Sequence, residues 1–351
     1  MRKVHILRPL FPFATALAAL LVAGATLTIG LASPPVEAGP SPLDHLPTNV
    51  RQVSAFGERA VWSPDGSRIA FVHKTLGDAF EHDLKSGKTV CITCSFPGAG
   101  YFRVQYLATG DFILVGPSQT TDREKARWDD SELWVLRKDL SKPPFRLNQR
   151  LSEGVATSRI APRIAWVVSG RQYPGQVRDG ITELWTADVR VHEDAAELVN
   201  RRKVFEAKWP ECWLEAQDFR KADGQIIFSC YQPEKKSEVM GVDVSTGEAV
   251  NYSKSPEVYD EPEGIFPDGD YTLIECDKQN GLGDSAIDIW KLRLDGTGKG
   301  LTRLTYFSDF PGYKASNPVV SPDGKKMVFQ IGKSKDAPGV GHGILIMDFV
   351  E

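Results

Sequence analysis

The hydrophobic and polar positions of this chain fall into short alternating runs broken by tight-turn residues, from Thr48 to the last residue. The clearest run is Ala60 to Val72, AVWSPDGSRIAFV. It reads as a strand, a reversal and a second strand in which Ile69 and Phe71 alternate with Arg68 and Ala70. Pro64 presets φ for the reversal, and Asp65-Gly66 supplies a side-chain acceptor and a positive φ. The same phrase returns as VVSPDGKKMVFQ (Val319–Gln330). Weaker copies are QYLATGDFILVG (Gln105–Gly116), FRKADGQIIFSC (Phe219–Cys230) and GIFPDGDYTLIEC (Gly264–Cys276).

A second recurring element gives the count. A strand with a large apolar residue near its start follows each hairpin: AFEHDL, ELWVLRKDL, ELWTADV, EVMGVDV, DIWKLRLDG and GILIMDF. The aligned residues Phe80, Trp134, Trp185, Met240, Trp290 and Leu345 are 54, 51, 55, 50 and 55 residues apart. Six units therefore share a period close to that of four short strands. Stretches such as GKTVCIT, PPFRLN, EAVNYS and GLTRLTY supply the fourth strand. Four-stranded antiparallel units repeated radially make a β-propeller, so the expected fold is all-β with six blades over residues 48–351. Trp134, Trp185 and Trp290 are expected in the core between blades. The last copy ends with only three strands, and TNVRQVS (Thr48–Ser54) has no partner, so it should complete the last blade and remove an exposed edge. No stretch shows a convincing amphipathic helix; Val189–Phe205 is the nearest candidate.

The N-terminus breaks this pattern. Arg2, Lys3 and Arg8 precede an uncharged apolar run from Phe13 to Leu31, and Val36-Glu37-Ala38 resembles a small-residue cleavage site. Residues 1–38 are expected to be a signal peptide, with an uncleaved membrane anchor as the alternative. Residues 39–47, at the end of a Pro-rich stretch, read as a linker. The expected location is periplasmic or secreted. Cleavage would take three positive charges and one negative with it, moving the formal charge from −4 to −6. Neither value suits nucleic acid.

The chain has five cysteines. Cys91 and Cys94 form a CxxC in a strand-like setting, without the helix start that would activate a redox thiol, so a structural disulfide or two buried thiols is the better reading. No second ligand pair accompanies them, and no metal site is expected. Cys230 and Cys276 end equivalent strands and are expected to be packing residues.

These repeats resemble the TolB-type, WD40-like propeller repeat. The resemblance covers residues 48–351 and implies a six-bladed propeller. The same repeat occurs in the propellers of prolyl oligopeptidase-type enzymes and in oligogalacturonate lyase. The lyase holds a metal with several histidines, but the sixth-blade entry of this chain, Ala315-Ser316-Asn317-Pro318, carries none. The separate N-terminal α/β domain of TolB has no room in residues 33–47. No G-x-S-x-G elbow appears, so peptidase chemistry finds no support, and no P-loop, Rossmann or EF-hand pattern points to a cofactor.

In a propeller the first strand of each blade faces the central channel. The entries FGERAVW, GYFRVQY, TSRIAPR, PECWLEAQDF, VYDEPEGIF and GYKASNPVV give a candidate ligand-binding set. It comprises Arg59, Tyr101, Arg103, Arg159, Trp213, Glu215, Tyr259, Asp260, Tyr313, Lys314 and Asn317. Rings to stack on and arginines to grip carboxylate suit an anionic polar ligand or glycan. Glu261 and Glu263 would lie side by side on one strand face, where crowding raises a carboxyl pKa and makes a general acid. His342, in a Gly-rich loop, is the third catalytic candidate. The expected function is a monomeric binding or scaffold module for a protein or an anionic ligand. The alternative is an extracytoplasmic lyase or hydrolase acting on acidic carbohydrate or a related small polar metabolite.

Overall fold

The computed structural model describes residues 40–119, 122–277, 286–337 and 339–350. The proposed signal segment lies outside the described residues. Six four-stranded antiparallel sheets are present among them. The innermost strands, in chain order, are Glu58–Trp62, Arg103–Tyr106, Ser152–Thr157, Trp213–Arg220, Asp260–Ile265 and Tyr313–Val320. In the first five blades the chain then steps outward strand by strand. In the sixth, the outermost strand is Val50–Ser54, paired antiparallel with Ile344–Asp348 in the register Val50↔Met347, Arg51↔Ile346 and Gln52↔Leu345. The N-terminal strand thus closes the ring, as its lack of a local partner predicts.

The core is divided in the way that blade stacking requires. Six buried apolar clusters are found, one at each junction of neighbouring blades. Trp166, Phe71, Phe228 and Phe329, all from second strands, are fully buried. Burying each such side chain contributes about 1.5–3 kcal/mol, and no blade retains that alone. Trp134, Trp185 and Trp290 pack, half-buried, at three of these junctions.

Turn chemistry follows the motif. Gly66 has φ +70°, and Asp65 Oδ1 accepts hydrogen bonds from Ser63 Oγ (2.6 Å) and Ser67 N (3.0 Å). The Ser63 bond above all holds the Asp65 carboxyl at about 2. Asp323 repeats the arrangement with Ser321 Oγ and Lys325 N.

Val189–Phe205, the nearest thing to a helical pattern, is not helical: it belongs to a hairpin of two long strands, Ile181–Val191 and Ala196–Lys208, the outer of which has only exposed and half-buried residues. Other expectations need correction. A six-residue helix, Arg123–Trp128, capped by the Asp122 side chain, interrupts the second blade. Part of the stretch read as a linker packs on the ring: Pro42–His45 form one helical turn, Leu43 and Leu46 join the core between blades five and six, and His45 stacks on Phe310. Cys230 is not a packing thiol but is bridged to Cys212. Cys91 and Cys94 are joined in a second disulfide, while Cys276 is buried outside both.

Candidate functional site

Five of the six inner strands carry a register shift against their second strand. The breaks fall at Glu58/Val61, Ser152/Val155, Ala216/Asp218, Pro262/Gly264 and Ser316/Val319. The second blade pairs without one. An extra residue in a strand bends it and re-aims the side chains at the bulge. Arg59 and Asn317 take positive φ there, 55° and 49°. Gly154, at the bulge of the third blade, admits its neighbour: a Cβ there would lie 2.4 Å from Glu215 Cγ.

The bulges fill the channel with charge, and the charge is sorted. On one side Arg59 and Arg127 both pair with Glu153. Arg103 donates to Glu215 Oε1 at 2.9 Å. All of these except Arg127 are more than nine-tenths buried. Burial alone would raise the Glu153 carboxyl, but Arg59, then Arg127 and Arg103, overcome it and hold the group at about 2.

The other side is acidic. Glu261 and Glu263 from the fifth-blade inner strand meet Glu275 from the next strand, with one carboxylate oxygen of each within 4.8 Å of the others. Glu261 and Glu275 are direct cross-strand partners. Burial first, then mutual repulsion, pushes Glu261 and Glu263 well above the ordinary carboxyl range. Burial raises Glu275 too, against the pull of Lys314. Tyr231 Oη lies 3.0 Å from Glu215 Oε2 and also contacts Glu261, which Tyr259 Oη contacts as well. A phenol has one proton to donate. Tyr231 therefore donates to one of the two carboxylates at a time, and Gln217 supplies a further donor to Glu261 Oε1 at 3.2 Å. Asn317 ties the cluster together, donating from its amide to Glu263 (2.8 Å) and from its backbone N to Glu275 (2.7 Å).

Two spaces open on the face where the inner strands begin. One, about 160 Å³, lies over the channel between Arg59, Glu153, Glu261, Glu275, Ser316 and Lys314. The other is a cleft of about 610 Å³ across blades two to five. Trp128, Trp209, Trp213, Tyr231, Tyr259 and Ile287 wall it, with Arg127, Arg171, Lys235 and Lys236 at its sides. Trp209 is 42% exposed, unusual for so large a ring. Arg127 lies over the Trp128 ring at 4.7 Å and Arg171 at 5.9 Å. Arg127, Glu215, Tyr231 and Tyr259 line both spaces, so cleft and channel share a wall.

The structure brings together Arg59, Arg103, Glu215, Glu261, Glu263, Lys314 and Asn317 at the channel, and Trp213 and Tyr259 at the cleft. His342 sits at the channel mouth, held by Asp336 at 2.7 Å. Arg159 also lines the channel, but at its far end: TSRIAPR includes the turn leaving the third inner strand, and Arg159 bonds the Ile265 carbonyl (2.7 Å) beside a space it shares with Arg59, Arg103, Glu263 and Asn317. Three residues of the expected lining set lie elsewhere. Tyr101 is buried between blades one and two, and burial pushes its hydroxyl up to about 12. Asp260, next to Glu261 on an alternating strand, faces Ser255 instead, and burial raises it to about 6. Tyr313 packs against the core between blades five and six. Sequence reasoning missed Glu153, Glu275, Arg127, Tyr231, Trp128 and Trp209.

The class of protein defined by the six sheets and their closure is a six-bladed β-propeller with a charged, bulge-lined channel. No family profile and no curated protein matches the chain. Among solved structures it is similar to a putative TolB from Agrobacterium tumefaciens, at 12% identity over 77% of this chain and 97% of that one, with a TM-score of 0.49. It is also similar to TolB from Acinetobacter baumannii (14% identity, 84% and 67% covered, TM-score 0.45). A third likeness is to a puromycin hydrolase (17% identity, 85% and 47% covered, TM-score 0.49).

Proposed function

We propose that this chain is an exported binding propeller that takes an acidic oligosaccharide across the cleft, with acid groups turned toward its cationic sides. The observation that carries this reading is the cleft itself: indole and phenol faces beside Arg127, Arg171, Lys235 and Lys236, continuous with the channel. Sugar rings stack on such faces through their C–H edges, and guanidinium groups match carboxylates in a planar, two-pronged fit. Two disulfides support an oxidising compartment, periplasmic or extracellular, as the N-terminal segment suggests.

The test is thermal shift and calorimetry with uronic-acid oligomers, neutral oligosaccharides of equal length, and buffer. Acidic oligomers in excess over Kd should raise Tm by a few degrees, and neutral ones should not. Trp213→Ala should weaken binding about tenfold, the loss of one stacked ring. Binding of neutral oligomers alone, or no glycan binding by folded protein, would overturn the reading. A protein captured on the same face would then stand in its place.

A second reading, an extracytoplasmic lyase or hydrolase, is favoured by one observation. Burial and mutual repulsion push the Glu261 and Glu263 carboxyls upward, the direction a general acid needs, and two phenols lie beside Glu261. Arg59 and Arg103 would steady the substrate's acid groups and His342 would lie at the mouth. Turnover of a bound oligomer that disappears in Glu263→Gln would select it; binding without turnover selects the first reading.

A further inference from the structure

We infer that the site is blind-ended and takes the free end of an acidic oligosaccharide, with one terminal sugar ring in the channel mouth and the units behind it along the cleft. This deepens the cleft reading and rests on it.

The ring places a wall opposite the cleft. Blades two to five supply the cleft's lining. In a closed ring of six, the junction of blades six and one stands across the bore from blades three and four. A strap, residues 339–343, crosses that junction on its way to the third strand of blade six. Gly339 O accepts from Thr75 N (3.0 Å) and Gly341 O from Gly57 N (3.1 Å), while Gly343 N donates to Gly57 O (3.3 Å). Only glycine lets the strap seat so closely. A Cβ on Gly339 would lie 1.8 Å from Thr75 Oγ1, and one on Gly341 2.1 Å from His73 O. Val340, Gly341 and His342 of the strap line the channel mouth.

The bore beneath the mouth is closed as well. The Arg59–Glu153 and Arg103–Glu215 pairs are buried in it. Arg59, Arg103 and Asn317 line both the mouth and a separate space of about 120 Å³ at the far end. A chain could thread past them only by breaking buried ion pairs.

Size separates the two spaces. A cavity of about 150 Å³ admits one benzene ring. The mouth, at about 160 Å³, is of that order. The cleft, at about 610 Å³, has room for several units. A mid-chain segment would have to enter the mouth and turn back within room for one ring, whereas a chain end need only enter. The shared wall of Arg127, Glu215, Tyr231 and Tyr259 lets one ligand span both spaces. The chemistry changes across that wall. Arg171, Lys235 and Lys236 line only the cleft, and Glu261 and Glu275 line only the mouth. Carboxyl oxygens accept from sugar hydroxyls, and a terminal unit keeps a hydroxyl that a mid-chain unit has spent on its glycosidic bond.

The experiment counts protein copies per oligosaccharide. The full chain is titrated by calorimetry with uronic-acid oligomers, and the saturated complexes are sized by analytical ultracentrifugation. One copy per oligomer is expected at about four and at about twenty units, with Kd per oligomer equal within about twofold. Several copies on the long oligomer, with an apparent Kd that falls as length grows, would overturn end recognition and leave the cleft reading standing. Binding of neither oligomer by folded protein would overturn the cleft reading and this inference with it. Gly341→Ala, which pushes the strap off His73, should admit mid-chain segments and raise the count on the long oligomer. Circular dichroism checks that its sheets persist, and the parent's count decides alone if that variant fails to fold.

Discussion

Replacing Glu153 by alanine should cost the propeller about 3–5 kcal/mol, because it strands two buried or half-buried arginines at once. Arg59 reaches Glu153 from the first blade, and Arg127 reaches it from the helix of the second. The carboxylate therefore ties blades one, two and three at the channel. For a ring of this length such a loss lowers Tm by roughly 10 °C. Glu153→Gln keeps the volume and isolates the charge. Its effect depends on pH with a definite sign. The folded group sits at about 2 against 4.5 for the ordinary carboxyl, so its stabilisation is complete above pH 4.5 and is lost as pH falls toward 2. That window is worth roughly 3 kcal/mol. Urea titrations at pH 7, 4 and 2.5 should show the parent losing stability over the acid range and Glu153→Gln following a flatter line. Parallel curves for the two proteins would refute the assignment.

Deleting residues up to Ser54 should do more damage still. The deletion removes the outer strand of the last blade and leaves Ile344–Asp348 as an open edge. Backbone hydrogen bonds over this short ladder are worth about 0.5–1.5 kcal/mol each. Asn49, which accepts from Asp348 N and donates to the Asp348 carbonyl, goes with them, as does Val50, a buried member of the core between blades five and six. The truncated chain should be aggregation-prone, since an uncovered apolar edge strand is a template for pairing. A synthetic peptide of residues 40–56, added during refolding, should restore part of the soluble, cooperatively melting fraction by occupying the edge. Size-exclusion chromatography and melting curves with and without peptide decide it. A truncated chain that stays monomeric and melts like the parent would show that closure does not depend on this strand.

The ring was legible because each blade repeats its own chemistry. Asp65-Gly66 and Asp323-Gly324 mark reversals that hardly any other residues make, and the bulky residues of the third strands keep a near-constant interval. Closure was legible from arithmetic alone: one strand too many at one end and one too few at the other. The channel was read less well, and for identifiable reasons. The third blade has no SPDG phrase, so Ser158–Arg163 looked like an entry when it turns away from one. The apolar run Ile164–Val168 is its second strand, and counting back from it would have placed Glu153 on the inner one. Asp260 was misplaced because alternation sends it to the opposite face from Glu261. Glu275 lies on a second strand, and Arg127, Trp128 and Trp209 lie on connections. Neither hydrophobic period nor turn chemistry carries information about such positions.

The bulges also bear on how such a molecule acquires new specificity. In a regular strand, each side chain's direction is locked to the pairing of the whole sheet, and altering the lumen means disturbing the packing behind it. A bulge suspends that coupling for one or two residues. Arg59, Glu153, Gln217, Glu263 and Asn317 each stand at such a break, on a separate blade. Behind them lie the apolar clusters of the blade junctions. A lineage carrying this scaffold can rewrite its bore without repacking those clusters, but in matched sets, because bulge residues such as Arg59 and Glu153, or Glu263 and Asn317, are partners across blades.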